Sequence, residues 1–172
     1  MLYLKIRKKI LDYFPFIRII KKYNIIIPKI LSHIIWPIFK PKKILYDNRV
    51  FYTSPNIYSN PSRDLFAYKK FYNNYEIEII KKYVREGHNC IDIGANIGFF
   101  TYIFLKQINN KGKVYSFENI PKVFEILRKN FENDDNIICY EGEVGINSSN
   151  LIIDNLIGDR IDFIKIDIDG LD

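Results

Sequence analysis

The stretch from Cys90 to Phe100 constrains the fold of this chain more than any other. It consists of a short apolar run with one embedded acid, two glycines four residues apart, and a second apolar run. The first run is typical of a buried parallel strand, and the second of a helix that begins after a glycine turn. Such a helix points backbone N–H groups across the carboxyl end of the strand, where open α/β sheets bind ligands. We therefore expect a ligand site at this turn.

Strands and helices alternate around the turn. The patterns predict strands over 89–93, 114–118, 136–140 and 161–168, and helices over 75–86, 97–107 and 121–133. This alternation predicts a parallel α/β sheet with right-handed crossovers. A hairpin turning at Asp47 and Asn48 is predicted before them, over 44–53.

The amino-terminal quarter differs in charge from the rest. Residues 1–43 hold eleven Lys or Arg against one acid, whereas residues 44–172 hold fifteen basic and nineteen acidic groups. Prolines divide this segment into short predicted helices. Its positive charge predicts that the extension contacts an anionic membrane surface, or alternatively that it packs on the following domain. Nucleic acid is less favoured, because no binding motif accompanies the charge.

Proline and glycine mark a predicted domain boundary. Six of the seven prolines precede residue 62, and all eight glycines lie at or after residue 87. We predict an extension with the hairpin over 1–61 and a ligand-binding domain over 62–172.

Cysteine usage and hydropathy indicate the compartment. Cys90 and Cys139 fall in predicted strands and are interpreted as core residues of a protein in a reducing compartment. No apolar run approaches the ~18 residues of a spanning helix, and no signal-peptide pattern is present. We expect a cytoplasmic protein, with peripheral contact at the inner face of the membrane through residues 1–43. His33 and His88 lack companion ligands, so no metal site is predicted.

All four predicted strands end in, or are followed by, polar groups or glycines. They are residues 94–98, Glu118, residues 141–145 and residues 167–170. Because parallel strands end at one edge of the sheet, one small ligand can contact all of them. Glu118 lies twenty residues beyond Gly98, the spacing at which a carboxylate accepts hydrogen bonds from a ribose diol.

The glycine spacing argues against a dinucleotide fingerprint. Asn96 stands where the pattern G-x-G-x-x-G requires glycine. Asp92 and Asn96 are suited to hydrogen-bond a cationic or zwitterionic group, which favours S-adenosylmethionine. A nucleotide-dependent oxidoreductase using NAD is the alternative, since Glu118 suits either cofactor.

Four motifs in order resemble the FkbM family of S-adenosylmethionine-dependent methyltransferases: IDIGANIGFF, GKVYSFENIP, FEILRKNFE and IDFIKIDIDG. The resemblance covers residues 75–172. It implies a Rossmann-like class I methyltransferase sheet and O-methylation of a sugar or other small hydroxyl compound in surface glycan or secondary metabolite synthesis. The cofactor residues it implies are Asp92, Gly94, Asn96 and Gly98 for the methionine half, Glu118 for the ribose, and Glu143 and Val144 near the adenine, with Ala95 and Asn119 as further cofactor-binding residues.

The fourth motif suggests the chemistry. By the resemblance, Lys165, Ile166 and Asp167 face the methyl group and the acceptor. We expect direct displacement at the sulfonium methyl, with Asp167 or Asp169 taking or orienting the hydroxyl proton. Alternatively, the two aspartates contact the cofactor and cap the loop, and Lys165 faces solvent.

The sequence departs from the family pattern at three points. Asn119 replaces a proline, Asp169 replaces a glutamate, and the chain stops after the fourth of seven strands. The sheet is therefore expected to be incomplete, in the order 3-2-1-4, with residues 163–166 as an apolar edge that a partner chain or a missing carboxyl-terminal segment covers. A truncated, non-catalytic membrane-associated module is the alternative.

Overall fold

The computed structural model describes residues 41–53, 65, 74–146 and 150–168. The basic segment over 1–40, the predicted boundary at 61 and 62, and Asp169 lie outside these residues. The elements are β1 (Lys43–Tyr46), β2 (Arg49–Tyr52), α1 (Asn74–Tyr83), β3 (Cys90–Ile93), α2 (Phe99–Ile108), β4 (Val114–Glu118), α3 (Pro121–Asn130), β5 (Ile137–Glu141), α4 (Ile153–Leu156) and β6 (Phe163–Ile166).

Four parallel strands form the central sheet in the order β5-β4-β3-β6. This confirms the predicted parallel sheet and its order 3-2-1-4. All four residues of β3 are buried, as expected for a strand with neighbours on both sides. The predicted fold class, a Rossmann-like α/β sheet of four parallel strands with helices, is confirmed.

Element ends differ from the predicted ends by a few residues. The third helix ends at Asn130 rather than near residue 133, because the Phe131 N–H donates to the Arg128 carbonyl oxygen and tightens the last turn. The first helix ends at Tyr83, before Gly87, and the last strand is limited to Phe163–Ile166. The spacing of apolar residues predicts that an element is present but does not determine the residue at which its last turn ends.

The predicted hairpin is confirmed. Strands β1 and β2 pair antiparallel, and Asp47 and Asn48 between them have φ of 46° and 65°. Two consecutive left-handed residues are the signature of a type I′ turn, which matches the twist of a hairpin. Ile44 and Phe51 face each other across the hairpin and are buried in the main core.

The two faces of the central sheet are covered to different extents. The face that we call the covered face packs against α1, α2, α3 and the hairpin, with Phe104 and Ile97 fully buried. On the opposite face, the open face, Ile91 and Phe117 are buried in a cluster that also contains Val144, Leu151 and Ile157. Ile164 and Ile166 of β6 also lie on the open face, and they are 50% and 65% exposed.

Both cysteines are free thiols on strands. Burial raises the pKa of Cys90 to about 12 and that of Cys139 to about 11, so neither forms a thiolate readily. Among the described helices, none has the length and apolar character needed to cross a bilayer.

Candidate cofactor site

The carboxyl ends of the four parallel strands meet at one edge of the sheet. Residues 94–98, which we call the glycine turn, follow β3, and Asp167 follows β6. Backbone hydrogen bonds hold neighbouring strand ends together: Gly94 N–H to Phe117 O at 3.0 Å, Asp167 N–H to Ile93 O at 3.0 Å, and Gly142 N–H to Glu118 O at 3.0 Å. The strand ends predicted to share one ligand are therefore adjacent.

The glycine turn is packed tightly on both sides. Gly94 and Gly98 have φ of 75° and 90°, a region that glycine enters without steric cost. A Cβ on Gly94 would lie 1.9 Å from the Asp167 carbonyl oxygen, and one on Gly98 would lie 2.1 Å from Cε2 of Phe131. The space freed by each missing side chain is filled by this chain, through the end of β6 at Gly94 and through α3 at Gly98.

Glu118 joins the glycine turn to the loop after β4. Its Oε2 accepts the Asn96 N–H at 2.8 Å, and its Oε1 accepts the Ile120 N–H at 2.9 Å. Glu118 is 4% exposed, and this burial raises the pKa of its carboxyl group. Hydrogen bonds from the backbone N–H groups of Ile120, Asn96 and Asn119 act in the opposite direction and are the weaker influence. Each carboxylate oxygen has a second lone pair that can accept a ligand hydroxyl.

Asp92 lies inside the sheet rather than at its edge. It is fully buried on the covered face, where its Oδ2 accepts the Thr101 hydroxyl at 2.8 Å, and Oγ of Thr101 lies 2.9 Å from Oγ of Ser116. Burial raises the pKa of Asp92, and Lys165 opposes this. In the structure Asp92 joins the start of α2 to the strands through Thr101, and its predicted contact with the ligand stays a prediction.

Lys165 lies next to Asp92 on the covered face. In the strand register it stands beside Asp92, which in turn stands beside Ser116. Its side chain is 11% exposed, and Nζ lies 3.5 Å from Oδ1 of Asp92 and 4.5 Å from the centre of the Phe100 ring. The alternative that Lys165 faces solvent is therefore wrong, because the register directs its side chain to the covered face.

Asp167 lies where the sheet edge meets solvent. Its side chain is 59% exposed, and Oδ2 lies 3.4 Å from Nζ of Lys165. Its backbone contacts the glycine turn at Gly94. An exposed carboxylate at this position is able to accept a proton or to hydrogen-bond a ligand.

The segment assigned to the adenine lies beside Glu118. The Gly142 N–H donates to the Glu118 carbonyl oxygen at 3.0 Å. Glu143 is exposed, and its carbonyl oxygen accepts the Leu151 N–H at 2.7 Å. Val144 is half-buried and packs beneath the open face, whereas Asn119 is exposed.

Sequence reasoning missed Thr101, Ser116 and Asn130. Ser116 is a polar residue inside an otherwise apolar strand, which is a usable signal for a buried hydrogen bond. Asn130 is 5% exposed and contacts both the glycine turn and the hairpin. Its position near a helix end gives no local signal, because its partners lie far away in the sequence.

Comparisons with known proteins point to methyltransferases. Residues 68–152, slightly under half of the chain, match the family model of protein-L-isoaspartate(D-aspartate) O-methyltransferase. The protein-L-isoaspartate O-methyltransferase of Methanothrix thermoacetophila is 33% identical over 49 residues, which are 28% of this chain and 23% of that protein. The chain thus matches about a quarter of the length of this curated relative.

Solved structures of methyltransferases are also similar. A protein-L-isoaspartate O-methyltransferase has 25% identity and a TM-score of 0.37, over 39% of this chain and 22% of that one. Fibrillarin of Aeropyrum pernix with bound S-adenosyl-L-methionine has 22% identity and a TM-score of 0.36, over 40% and 31% of the two chains.

The family match supports the predicted class, an S-adenosylmethionine-dependent methyltransferase, and its cofactor. It does not extend to the FkbM family or to the acceptor.

Proposed function

We propose that this chain binds S-adenosylmethionine at the carboxyl edge of its sheet and forms the cofactor half of an O-methyltransferase. In this proposal the glycine turn with Ala95 and Asn96 receives the methionine half. Glu118 and the backbone of Asn119 receive the ribose, and the Glu143–Val144 segment borders the adenine. Asp92 acts from inside the sheet by fixing the first turn of α2.

The observation that carries the proposal is the contact between Glu118 and the glycine turn. The carboxylate accepts the Asn96 N–H at 2.8 Å, so the group suited to a ribose and the turn suited to an amino acid lie within one hydrogen bond of each other. A buried carboxylate beside a glycine turn at strand ends is the arrangement expected for a nucleoside ligand. The match to a methyltransferase family model favours S-adenosylmethionine over NAD.

The proposed reaction is direct displacement. Bound S-adenosylmethionine would supply an electrophilic methyl group for transfer to the acceptor oxygen, with S-adenosylhomocysteine as the leaving group. Catalysis comes mainly from positioning, and Asp167 or Asp169 takes or orients the acceptor proton. The exposure of Asp167 and its contact with Gly94 support a role for this residue at the reacting end.

Two acceptor classes have support. The resemblance of four motifs to the FkbM family favours the hydroxyl of a sugar or another small compound. The match over residues 68–152 favours a carboxylate acceptor, as in an L-isoaspartyl residue. Transfer of a labelled methyl group to each acceptor, catalysed by the full chain, would distinguish them.

Peripheral membrane contact through residues 1–43 is a separate proposal. Eleven Lys or Arg against one acid in this segment would attract anionic lipid. Sedimentation with vesicles containing phosphatidylserine should pellet the full chain and not a chain lacking residues 1–40. Equal sedimentation of the two chains would refute this proposal.

Calorimetric titration of the full chain tests the cofactor. S-adenosylhomocysteine should bind more tightly than NAD, and Glu118→Ala should weaken binding by about tenfold, since it removes both ribose acceptors. Glu125→Ala is the matched control, because Glu125 is an exposed acid on α3. Preference for NAD, or equal binding by the wild-type and Glu118→Ala proteins, would contradict the proposal.

A further inference from the structure

Asn130 connects two parts of the molecule that lie far apart in the sequence. Its Nδ2 donates to the Ile97 carbonyl oxygen at 2.8 Å and to the Tyr52 carbonyl oxygen at 3.1 Å. Its Oδ1 accepts the Tyr52 N–H at 2.7 Å. The side chain is buried, and both of its donor hydrogens are in use.

These three bonds require an amide. Ile97 lies inside the glycine turn, and Tyr52 ends the hairpin, so one residue of α3 holds the backbone of both. Aspartate has the same shape and would keep the acceptor for the Tyr52 N–H, but it has no hydrogen for either carbonyl oxygen. An apolar residue would leave three backbone groups without these partners.

A second contact connects the same two parts. The Arg49 guanidinium of the hairpin lies 4.4 Å from the centre of the Phe131 ring, donates to Oδ1 of Asp134 at 3.1 Å and contacts the Asn130 carbonyl oxygen. Phe131 in turn fills the space beside Gly98. The end of α3 therefore packs between the hairpin and the glycine turn.

We propose that Asn130 is a positioning residue for the cofactor, which holds the glycine turn in the shape that receives the methionine half, and that the hairpin acts through it. The inference rests on the function proposed above. It assigns to the hairpin a role in cofactor binding without direct contact with the ligand. Positioning groups of this kind orient the residues that touch a ligand.

Two ligands separate positioning from general stability. S-adenosylhomocysteine carries the amino-acid portion, and 5′-methylthioadenosine lacks it. Asn130→Asp should weaken the binding of S-adenosylhomocysteine by about tenfold, because an anionic oxygen then faces the Ile97 carbonyl oxygen. The same variant should weaken the binding of 5′-methylthioadenosine by less than about twofold. Calorimetry well below the unfolding temperature, beside urea unfolding, measures both properties.

Asp47→Asn is the matched control. It removes the ionic contact of the hairpin with Lys106, and asparagine tolerates the left-handed turn, but Asp47 touches neither Asn130 nor the glycine turn. This variant should lose stability without changing the ratio of the two dissociation constants. Where Asn130→Asp does not fold, Arg49→Met takes its place, with an expected two- to threefold selective loss of S-adenosylhomocysteine.

The outcomes differ for the two proposals. If Asn130→Asp, or Arg49→Met in its place, binds both ligands as the wild type does, or loses both equally, the positioning role is wrong and the proposed function stands. If the wild-type chain binds neither ligand, the proposed function fails and the positioning role fails with it.

Discussion

The covered face and the open face belong to the same four strands, yet they differ in what they carry. On the covered face, Asp92 and Lys165 form a buried ion pair, and Glu118 is bonded to the glycine turn. On the open face, Ile164 and Ile166 of β6 are half or more exposed. The polar residues at and beneath the proposed cofactor site are thus fixed by dense packing, while the part of the sheet next to Asp167 has an exposed side. Four substitutions or conditions test this contrast.

The largest effect is expected at Gly98. Gly98→Ala forces a Cβ to within 2.1 Å of Phe131 and 2.8 Å of Leu127 while keeping φ at 90°, and should lower the free energy of unfolding by about 3 kcal/mol or more. Urea denaturation measures the change.

Gly87→Ala is the matched control for this change. Gly87 has φ of 80° and nothing within 4 Å of its Cβ position, so this variant reports the backbone cost alone, about 1 kcal/mol. If the two variants lose the same stability, the packing against α3 is not the source of the effect at Gly98.

The buried ion pair comes second. Lys165→Met leaves the buried Asp92 carboxylate without its positive partner on the covered face. This variant should lower the free energy of unfolding by about 3 kcal/mol. Asp92→Asn combined with Lys165→Met removes both charges and should recover most of that loss. Chemical denaturation of the single and double variants gives the coupling, and a double variant no more stable than Lys165→Met would contradict it.

The pH dependence of stability is a third, smaller effect. Burial raises the pKa of Asp92 and Glu118 above their ordinary values, so the folded chain holds protons that the unfolded chain has lost. The contribution of these groups to stability is full below the ordinary values of 3.8 and 4.5, and is lost as pH rises through the raised pKa values. Urea midpoints measured across this range should show the decline.

Glu118→Gln tests the assignment of this effect. The difference in stability between wild type and variant should change with pH in the same window, and a difference independent of pH would contradict it. The wild type should bind S-adenosylhomocysteine more tightly as pH rises through the raised pKa of Glu118, because the ionised carboxylate is the better acceptor for ribose hydroxyls.

The smallest effect is expected on the open face. Ile166→Thr should change the free energy of unfolding by less than about 0.5 kcal/mol and increase solubility, because the side chain is already 65% exposed. Ile91→Val on the same face removes one methyl group from a fully buried side chain and should cost about 1 kcal/mol. A larger loss for Ile166→Thr would indicate that something covers β6 in solution.

Local sequence patterns were sufficient to predict the sheet. The apolar runs at β3 and β4, with glycine or an acid after each, predict strands, their parallel direction and the shared edge. The type I′ turn at Asp47 and Asn48 is likewise a local signal. These predictions succeed because period and turn chemistry act over a few residues.

The side-chain environment of the site was not predictable in the same way. The direction of Lys165 depends on its register with Asp92, and the contacts of Asn130 join residues 33 and 78 positions apart. Such contacts depend on packing between distant elements, which no local pattern encodes. The depth of Asp92 in the sheet depends on packing in the same way, since its place in the motif does not reveal its burial.

The separation in sequence between the hairpin and α3 also matters during synthesis of the chain. Tyr52 is made 78 residues before Asn130, which binds its backbone. At ~5 to 20 residues per second, the ribosome needs about 4 to 16 seconds to deliver that partner. During this interval the Phe51 ring lacks Phe131, its packing partner at the end of α3, so an apolar side chain of the hairpin stays uncovered on that side.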